Sequence, residues 1–169
     1  MIKTMLSALL LILFTSQLSL AANEAKLMTY PDIYKDKIVF TYENDLWLVN
    51  AAGGTATRLT SFPGNEFSAR FSPDGKSIAF TAGYDGAYGV YVMPAEGGEP
   101  IRLTYTPGPA QSIAWTPDGK RVVFRASYEN YVSRDPNLYF VNKEGSAPER
   151  FPIDRGGLCS FNPDGSKML

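Results

Sequence analysis

The 169-residue chain contains no histidine and a single cysteine, Cys159. Without histidine the chain cannot assemble a Ser-His-Asp triad, in which histidine is the base that activates the serine. Histidine-containing zinc sites are excluded for the same reason, and one cysteine forms neither a thiolate cluster nor an internal disulfide. We therefore expect Cys159 to be a small buried apolar residue, and we predict no catalytic residue, no cofactor site and no metal site in this chain.

An excess of charge of either sign is also lacking. Residues 1–21 carry Lys3 as their only charged residue, and the remainder has 15 Lys and Arg against 17 Asp and Glu. A domain that binds nucleic acid needs a basic surface to neutralise phosphates, and these scattered charges do not supply one. We expect no nucleic-acid partner.

A long apolar run occurs only at the N-terminus, in MIKTMLSALLLILFTSQLSLA. Lys3 gives this segment a basic start, residues 5–14 form its apolar centre, and Ser19 and Ala21 are the small residues that a signal peptidase reads. A retained membrane anchor is the alternative, but the run is shorter than the roughly 20 residues that a span needs. We predict that residues 1–21 are a signal peptide, that cleavage leaves no membrane anchor, and that the protein is periplasmic or secreted.

The segment FSARFSPDGKSIAF contains Gly75-Lys76-Ser77, which is the ending of a phosphate-binding loop. Such a loop also needs a glycine five positions earlier, where this chain has Arg70, and Pro73 would remove one of its amide donors. Proline, aspartate and glycine in succession are instead typical of a tight hairpin turn. We predict a hairpin here and no nucleotide site.

This turn recurs in WTPDGKRVVF and in FNPDGSKML, and its prolines are 44 and 46 residues apart: Pro73, Pro117 and Pro163. The tripeptide RLT also returns after 44 residues, at Arg58–Thr60 and Arg102–Thr104. In the second repeat we predict four strands, at 66–71, 76–81, 90–93 and 101–104. A repeat of this length made of short strands is typical of a β-propeller blade.

We predict an all-β fold, a β-propeller of four-stranded antiparallel blades that covers residues 22–169. It is incomplete, with three blades at about 27–60, 66–104 and 111–152 and the start of a fourth at 157–169. Propeller rings contain about 4–8 blades, because each blade must bury both faces against neighbours. We therefore expect the chain to be the N-terminal part of a longer protein. For the same reason we expect its aromatic residues to pack in the core, namely Trp47, Tyr91, Trp115 and Tyr139.

DLWLV, followed by GG and RLTS and then by NEFSARFSPDG, resembles the start of bacterial tricorn-like serine peptidases. The resemblance covers about residues 28–169, whereas the Pro-Asp-Gly turn alone is shared with TolB and prolyl-oligopeptidase-type propellers. It implies a multidomain parent in which two propellers precede a PDZ-like domain and a catalytic region. The propellers would guide or filter peptide or protein substrates. The alternative is a TolB-like periplasmic module that binds partner proteins without catalysis.

None of the catalytic positions of that family has a counterpart in these residues. Three groups of loop residues are candidates for ligand contact, and we expect their polar side chains to be solvated at the surface. They are the acidic pair Glu43 and Asp45, the glycine-rich segment 83–89, and Arg125, Arg134 and Asp135 in the long third-blade loop 125–137. The glycine-rich segment has too few oxygen ligands for a calcium loop.

Overall fold

The computed structural model describes residues 27–127, 135–153, 156–162 and 164–169. These residues form twelve β-strands and no helix, so nothing in the described ranges is a helix able to cross a membrane. The strands are β1 (Thr29–Tyr34), β2 (Lys37–Tyr42), β3 (Asp45–Asn50), β4 (Thr57–Arg58), β5 (Glu66–Phe71), β6 (Ser77–Ala82), β7 (Gly89–Pro94), β8 (Ile101–Arg102), β9 (Ala110–Trp115), β10 (Arg121–Ala126), β11 (Asn137–Asn142) and β12 (Glu149–Arg150).

Three four-stranded antiparallel sheets are formed, β1 to β4, β5 to β8 and β9 to β12, each hydrogen-bonded in chain order. Beyond the third sheet, Phe161 pairs with Met168 in an isolated antiparallel bridge. The prediction of an all-β, incomplete propeller with three blades and the start of a fourth is confirmed.

The Pro-Asp-Gly turn is the hairpin that the sequence predicts. The Gly75 N–H donates to the Ser72 carbonyl at 2.8 Å, and Gly75 has φ +70°, a conformation that glycine adopts without strain. The Asp74 carboxylate accepts from the Ser72 hydroxyl at 2.6 Å and from the Lys76 N–H at 3.0 Å. These bonds lower the pKa of Asp74, because they favour its charged form. The N–H groups of Gly75 and Lys76 and the Ser72 hydroxyl thus serve the hairpin rather than a phosphate.

The repeated RLT tripeptide completes the outer edge of a sheet. β8 ends at Arg102, two residues before the predicted end of the strand. The Thr104 hydroxyl then accepts from the Val90 N–H at 2.9 Å, and the Thr60 hydroxyl accepts from the Leu46 N–H at the same distance. In both sheets a threonine hydroxyl therefore accepts from a third-strand N–H that has no backbone partner in the fourth strand.

One apolar core lies between the first and second sheets, and another lies between the second and third sheets. In the second and third sheets, a ring of the second strand stacks on a ring of the third strand, with centroids 5.9 Å apart for Phe80 and Tyr91 and 5.4 Å apart for Phe124 and Tyr139. Residues that face the first sheet from the second include Ile78, Phe80, Tyr91 and Met93. Those that face the second sheet from the third include Trp115, Val122, Phe124, Tyr139 and Val141. The predicted core placement holds for Tyr91, Trp115 and Tyr139, whereas Trp47 is only half-buried.

The two ends of the sheets differ. At one end Glu66 pairs with Ala82 and Ala82 with Gly89, so the first strand begins beside the connection between the second and third strands. We call this the loop end. The opposite end carries the Pro-Asp-Gly turns, and we call it the turn end.

The third-sheet loop at the loop end is shorter than the predicted 125–137. Arg125 lies in β10 and pairs with Leu138, and Asn137 already belongs to β11, because the ladder between these strands continues to Ala126 and Asn137. The connection therefore covers 127–136. Arg134 lies outside the described residues.

Candidate functional site

Three regions of the structure bring polar side chains together and are candidates for a functional site. One is a buried cluster at the loop end between the first and second sheets, and another is a pocket at the loop end between the second and third sheets. The third is a pocket at the turn end. Within the described part of the chain no group of acidic, cysteine or histidine residues is placed to hold a metal ion.

We call the buried cluster between the first and second sheets the acid cluster; it consists of Glu66, Asp45, Thr60 and Tyr84. Its central residue, Glu66, is the first residue of β5 and is fully buried. The Thr60 hydroxyl donates to Oε2 of Glu66, and the Tyr84 hydroxyl lies beside the same carboxyl group. Burial raises the pKa of Glu66, the hydrogen bond from Thr60 opposes the rise, and the negative charge of Asp45 adds to it. Burial and the adjacent carboxyl also raise the pKa of Tyr84. The cluster is enclosed and offers no surface to a substrate.

Glu43 and Asp45 are not the solvated pair that the sequence suggests. Glu43 is exposed in the turn between β2 and β3. Asp45 is the first residue of β3 and is buried, with its Oδ2 atom 2.6 Å from Nη2 of Arg58. The expectation of a solvated loop is thus wrong for Asp45, because the β3–β4 pairing brings Arg58 beside it.

The loop-end pocket has a volume of about 360 Å³ and is walled by aromatic, proline and polar side chains. Phe67 and Tyr88 meet edge to face with ring centroids 5.2 Å apart. Arg125 donates from Nε to Oε1 of Gln111 at 2.8 Å, and Gln111 donates from Nε2 to the Ser68 hydroxyl at 2.8 Å. A hydrogen-bonded chain across two sheets therefore holds the guanidinium at the pocket.

The turn-end pocket, of about 320 Å³, is walled by first strands of successive sheets and by the start of the fourth. Oδ2 of Asp32 accepts from the Phe71 N–H at 2.8 Å, and Nε of Arg70 donates to the Ile113 carbonyl at 3.2 Å. Nε1 of Trp115 donates to the Arg70 carbonyl at 2.9 Å. Burial raises the pKa of Asp32, against the opposing influence of the Phe71 N–H and the Arg70 charge. These side chains therefore join one sheet to the next.

Cys159 also borders the turn-end pocket and is half-buried rather than fully buried. It packs beside Ile113, Val123 and Leu138. Burial raises the pKa of its thiol, which keeps the sulfur in the less nucleophilic protonated form. The environment is that of a packing residue.

The remaining sequence candidates are dispersed. In the segment 83–89, the Asp85 carboxylate accepts from Nη1 of Arg102 at 3.0 Å and from the Tyr91 hydroxyl at 3.3 Å. Asp135 is exposed, and Arg125 lies at the loop-end pocket. Sequence reasoning did not find Glu66, Asp32 or Gln111, because their roles depend on partners in another sheet and no local pattern marks them.

Comparison with known proteins gives the family. The model of the Tricorn protease N-terminal beta propeller domain matches residues 25–169. Tricorn protease homolog 1 of Streptomyces coelicolor is 36% identical over 67 residues, which is 40% of this chain and 6% of that protein. The crystal structure of the tricorn protease aligns with a TM-score of 0.71 and 27% identity, over 84% of this chain and 15% of that one.

The crystal structure of TolB from Acinetobacter baumannii aligns with a TM-score of 0.67 and 26% identity, over 84% of this chain and 37% of that one. In each comparison the aligned region is well under half of the relative's length. The family match, by contrast, extends from before β1 to the last residue of the chain. The chain therefore belongs to the family of tricorn protease N-terminal β-propeller domains.

Proposed function

We propose that this chain is the noncatalytic propeller region of an exported, tricorn-like serine peptidase, and that it guides or filters peptide substrates. The observation that carries the proposal is a family match over residues 25–169 in a chain without histidine. Because histidine is the usual base of a serine nucleophile, the chemistry is assigned to other domains of the parent polypeptide.

Contact with peptides is assigned to the loop end. The loop-end pocket combines the apolar rings of Phe67 and Tyr88 with the positioned guanidinium of Arg125. Such a mixture of apolar wall and few fixed polar groups is typical of ligand pockets, and its volume lies in their usual range of roughly 300–1,000 Å³. Export is assigned on the signal-peptide pattern of residues 1–21.

A TolB-like module that binds partner proteins is the second candidate. The TolB alignment over most of this chain supports it. The sequence encoded after Leu169 separates the two candidates. A PDZ-like segment and a serine peptidase domain would support the first, and a chain that ends after a single ring would support the second.

The direct experiment compares the complete gene product with residues 22–169 alone. Both are incubated with a fluorogenic peptide library and with a covalent probe for active serines. We expect turnover and labelling only in the complete product, at a serine beyond Leu169, and loss of both when that serine is replaced by alanine. Turnover by residues 22–169 that disappears on replacing one of their own serines would overturn the noncatalytic assignment, and an inert complete product would favour the binding module.

A further inference from the structure

Among the described residues, the acid cluster holds two carboxyl groups, those of Glu66 and Asp45, and one ion-paired guanidinium, that of Arg58. Asp45 takes that guanidinium, since its Oδ2 atom lies 2.6 Å from Nη2 of Arg58. Glu66 is fully buried and close enough to Asp45 to feel its negative charge. A buried carboxylate without a cation is costly, and a carboxyl group in that position remains protonated instead.

One of the two carboxyl oxygens of Glu66 lacks a hydrogen bond. The Thr60 hydroxyl accepts from the Leu46 N–H and donates to Oε2 of Glu66. Among the described residues, neither Oε1 of Glu66 nor the Tyr84 hydroxyl has a hydrogen-bond partner, and both are fully buried. An ionised Glu66 would therefore place negative charge on a buried oxygen that no donor compensates.

Two short segments of chain connect the acid cluster to the loop-end pocket. Glu66 precedes Phe67, a wall of that pocket. Tyr84 belongs to the connection 83–88, whose last residue, Tyr88, forms the facing wall. Tyr84 packs its ring on Phe62 and Tyr91, with centroids 5.2 and 4.9 Å apart. A change at the Glu66 carboxyl therefore acts on the residues that shape the pocket.

We propose that Glu66 is a proton-dependent latch: while it is protonated the connection 83–88 stays packed over it, and loss of the proton opens that connection and displaces the Tyr88 wall of the loop-end pocket. The groups that face Glu66 are Thr60, Asp45 from β3, which is paired with Arg58 from β4, and Tyr84 from the connection, which itself faces Tyr91 from β7. The role in regulating peptide access rests on the proposed function, whereas the latch itself does not.

The direction of the pH effect follows from linkage. The pKa of Glu66 is raised in the closed state, and in an open state it returns to its usual value of about 4.3. The closed state therefore binds the proton more tightly. Stabilisation of the closed state is complete below pH ~4.3 and is lost as the pH rises through the raised pKa, by up to about tenfold in the opening equilibrium per pH unit.

The test is hydrogen exchange of the complete gene product between pH 5 and 8, read by mass spectrometry and corrected for the intrinsic pH dependence of exchange. In the wild type we expect protection of residues 83–91 to fall as the pH rises. In Glu66→Gln, whose amide imitates the neutral acid, protection should stay constant. The matched control is Glu96→Gln, which removes an exposed carboxylate that pairs with Lys37 at the turn end, and this variant should retain the wild-type pH profile.

Infrared difference spectra give a second measurement, in which the wild type, at the pH of greatest exchange protection, should show a carboxylic-acid C=O band that Glu66→Gln lacks. Identical exchange profiles for wild type and Glu66→Gln, or the absence of that band, would overturn the proposal. Neither measurement depends on peptide turnover. An inert gene product with an intact latch would therefore contradict the proposed function alone, and an active peptidase with a flat exchange profile would contradict the latch alone.

Discussion

The ring of Tyr34 lies directly against Gly75, so that a Cβ atom placed on Gly75 would sit 2.0 Å from Cε1 of that ring. Tyr34 ends the first strand of the first sheet, and Gly75 belongs to the Pro-Asp-Gly turn of the second. The next junction is less crowded, because a Cβ atom on Gly119 would lie 3.6 Å from Cδ of Pro73, an ordinary contact distance. Gly75 therefore provides the positive φ of its turn and also the space for Tyr34 of the preceding sheet.

Gly75→Ala is expected to weaken the packing between the first and second sheets. The left-handed conformation alone costs a residue with a side chain about 1–2 kcal/mol, and contact with the Tyr34 ring adds to this. Hydrogen exchange in the complete gene product should show reduced protection of β1 and β6. Gly108→Ala is the control, since a Cβ there meets no atom within 4 Å. Equal protection in both variants would contradict the steric role.

Thr104→Val is expected to expose the outer edge of the second sheet. Valine has nearly the same shape but removes the oxygen that accepts from the Val90 N–H, and an unpaired buried N–H costs about 1–3 kcal/mol. Exchange at β7 and β8 should accelerate. Thr57→Val, at an exposed position of β4, should leave exchange in its own sheet unchanged. A silent Thr104→Val would show that the hydroxyl is dispensable.

Trp115→Phe tests the joint between the second and third sheets. The indole N–H bonds the Arg70 carbonyl in the neighbouring sheet, so its loss together with the lost volume should cost about 1–3 kcal/mol. Trp47→Phe is a matched control, because the Trp47 indole donates to the Tyr42 carbonyl within its own sheet. Reduced protection of β5 and β9 is expected only for Trp115→Phe, and an equal effect of both substitutions would count against a special role of the inter-sheet bond.

N-terminal sequencing of the exported protein should return Ala22 as the first residue. Ser19 and Ala21 satisfy the small-residue pattern of a cleavage site, and the apolar run before them is short. Ala21→Tyr should block processing at this position and retain the precursor. A wild-type product that still begins at Met1 would contradict both cleavage and the proposed export.

Much of the architecture was predictable from local signals. The sequence predicts the first strand of the second sheet at 66–71, where β5 lies, because a Pro-Asp-Gly turn follows it directly. The fourth strand was predicted two residues too long, since RLT looks like a strand although Thr104 contributes its side chain rather than its backbone to the edge.

The acid cluster was not predictable in the same way. The local sequence predicts Asp45 to be a loop residue, and Arg58 comes beside it only because β4 pairs with β3. Glu66 begins a strand at an ordinary polar position, and its burial depends on the first sheet and on the connection 83–88. Such environments depend on residues that are distant in sequence. Local periodicity and turn chemistry carry no information about them.

Each sheet is hydrogen-bonded entirely within one continuous stretch of chain, in strand order. Duplication or deletion of one repeat during evolution would therefore cut no β-ladder. It would only exchange one packing neighbour for another, along with a few bonds between sheets such as the one from Phe71 to Asp32. The number of blades in a ring can therefore change by whole blades. Selection would then act on the packing between the two sheets that have become neighbours.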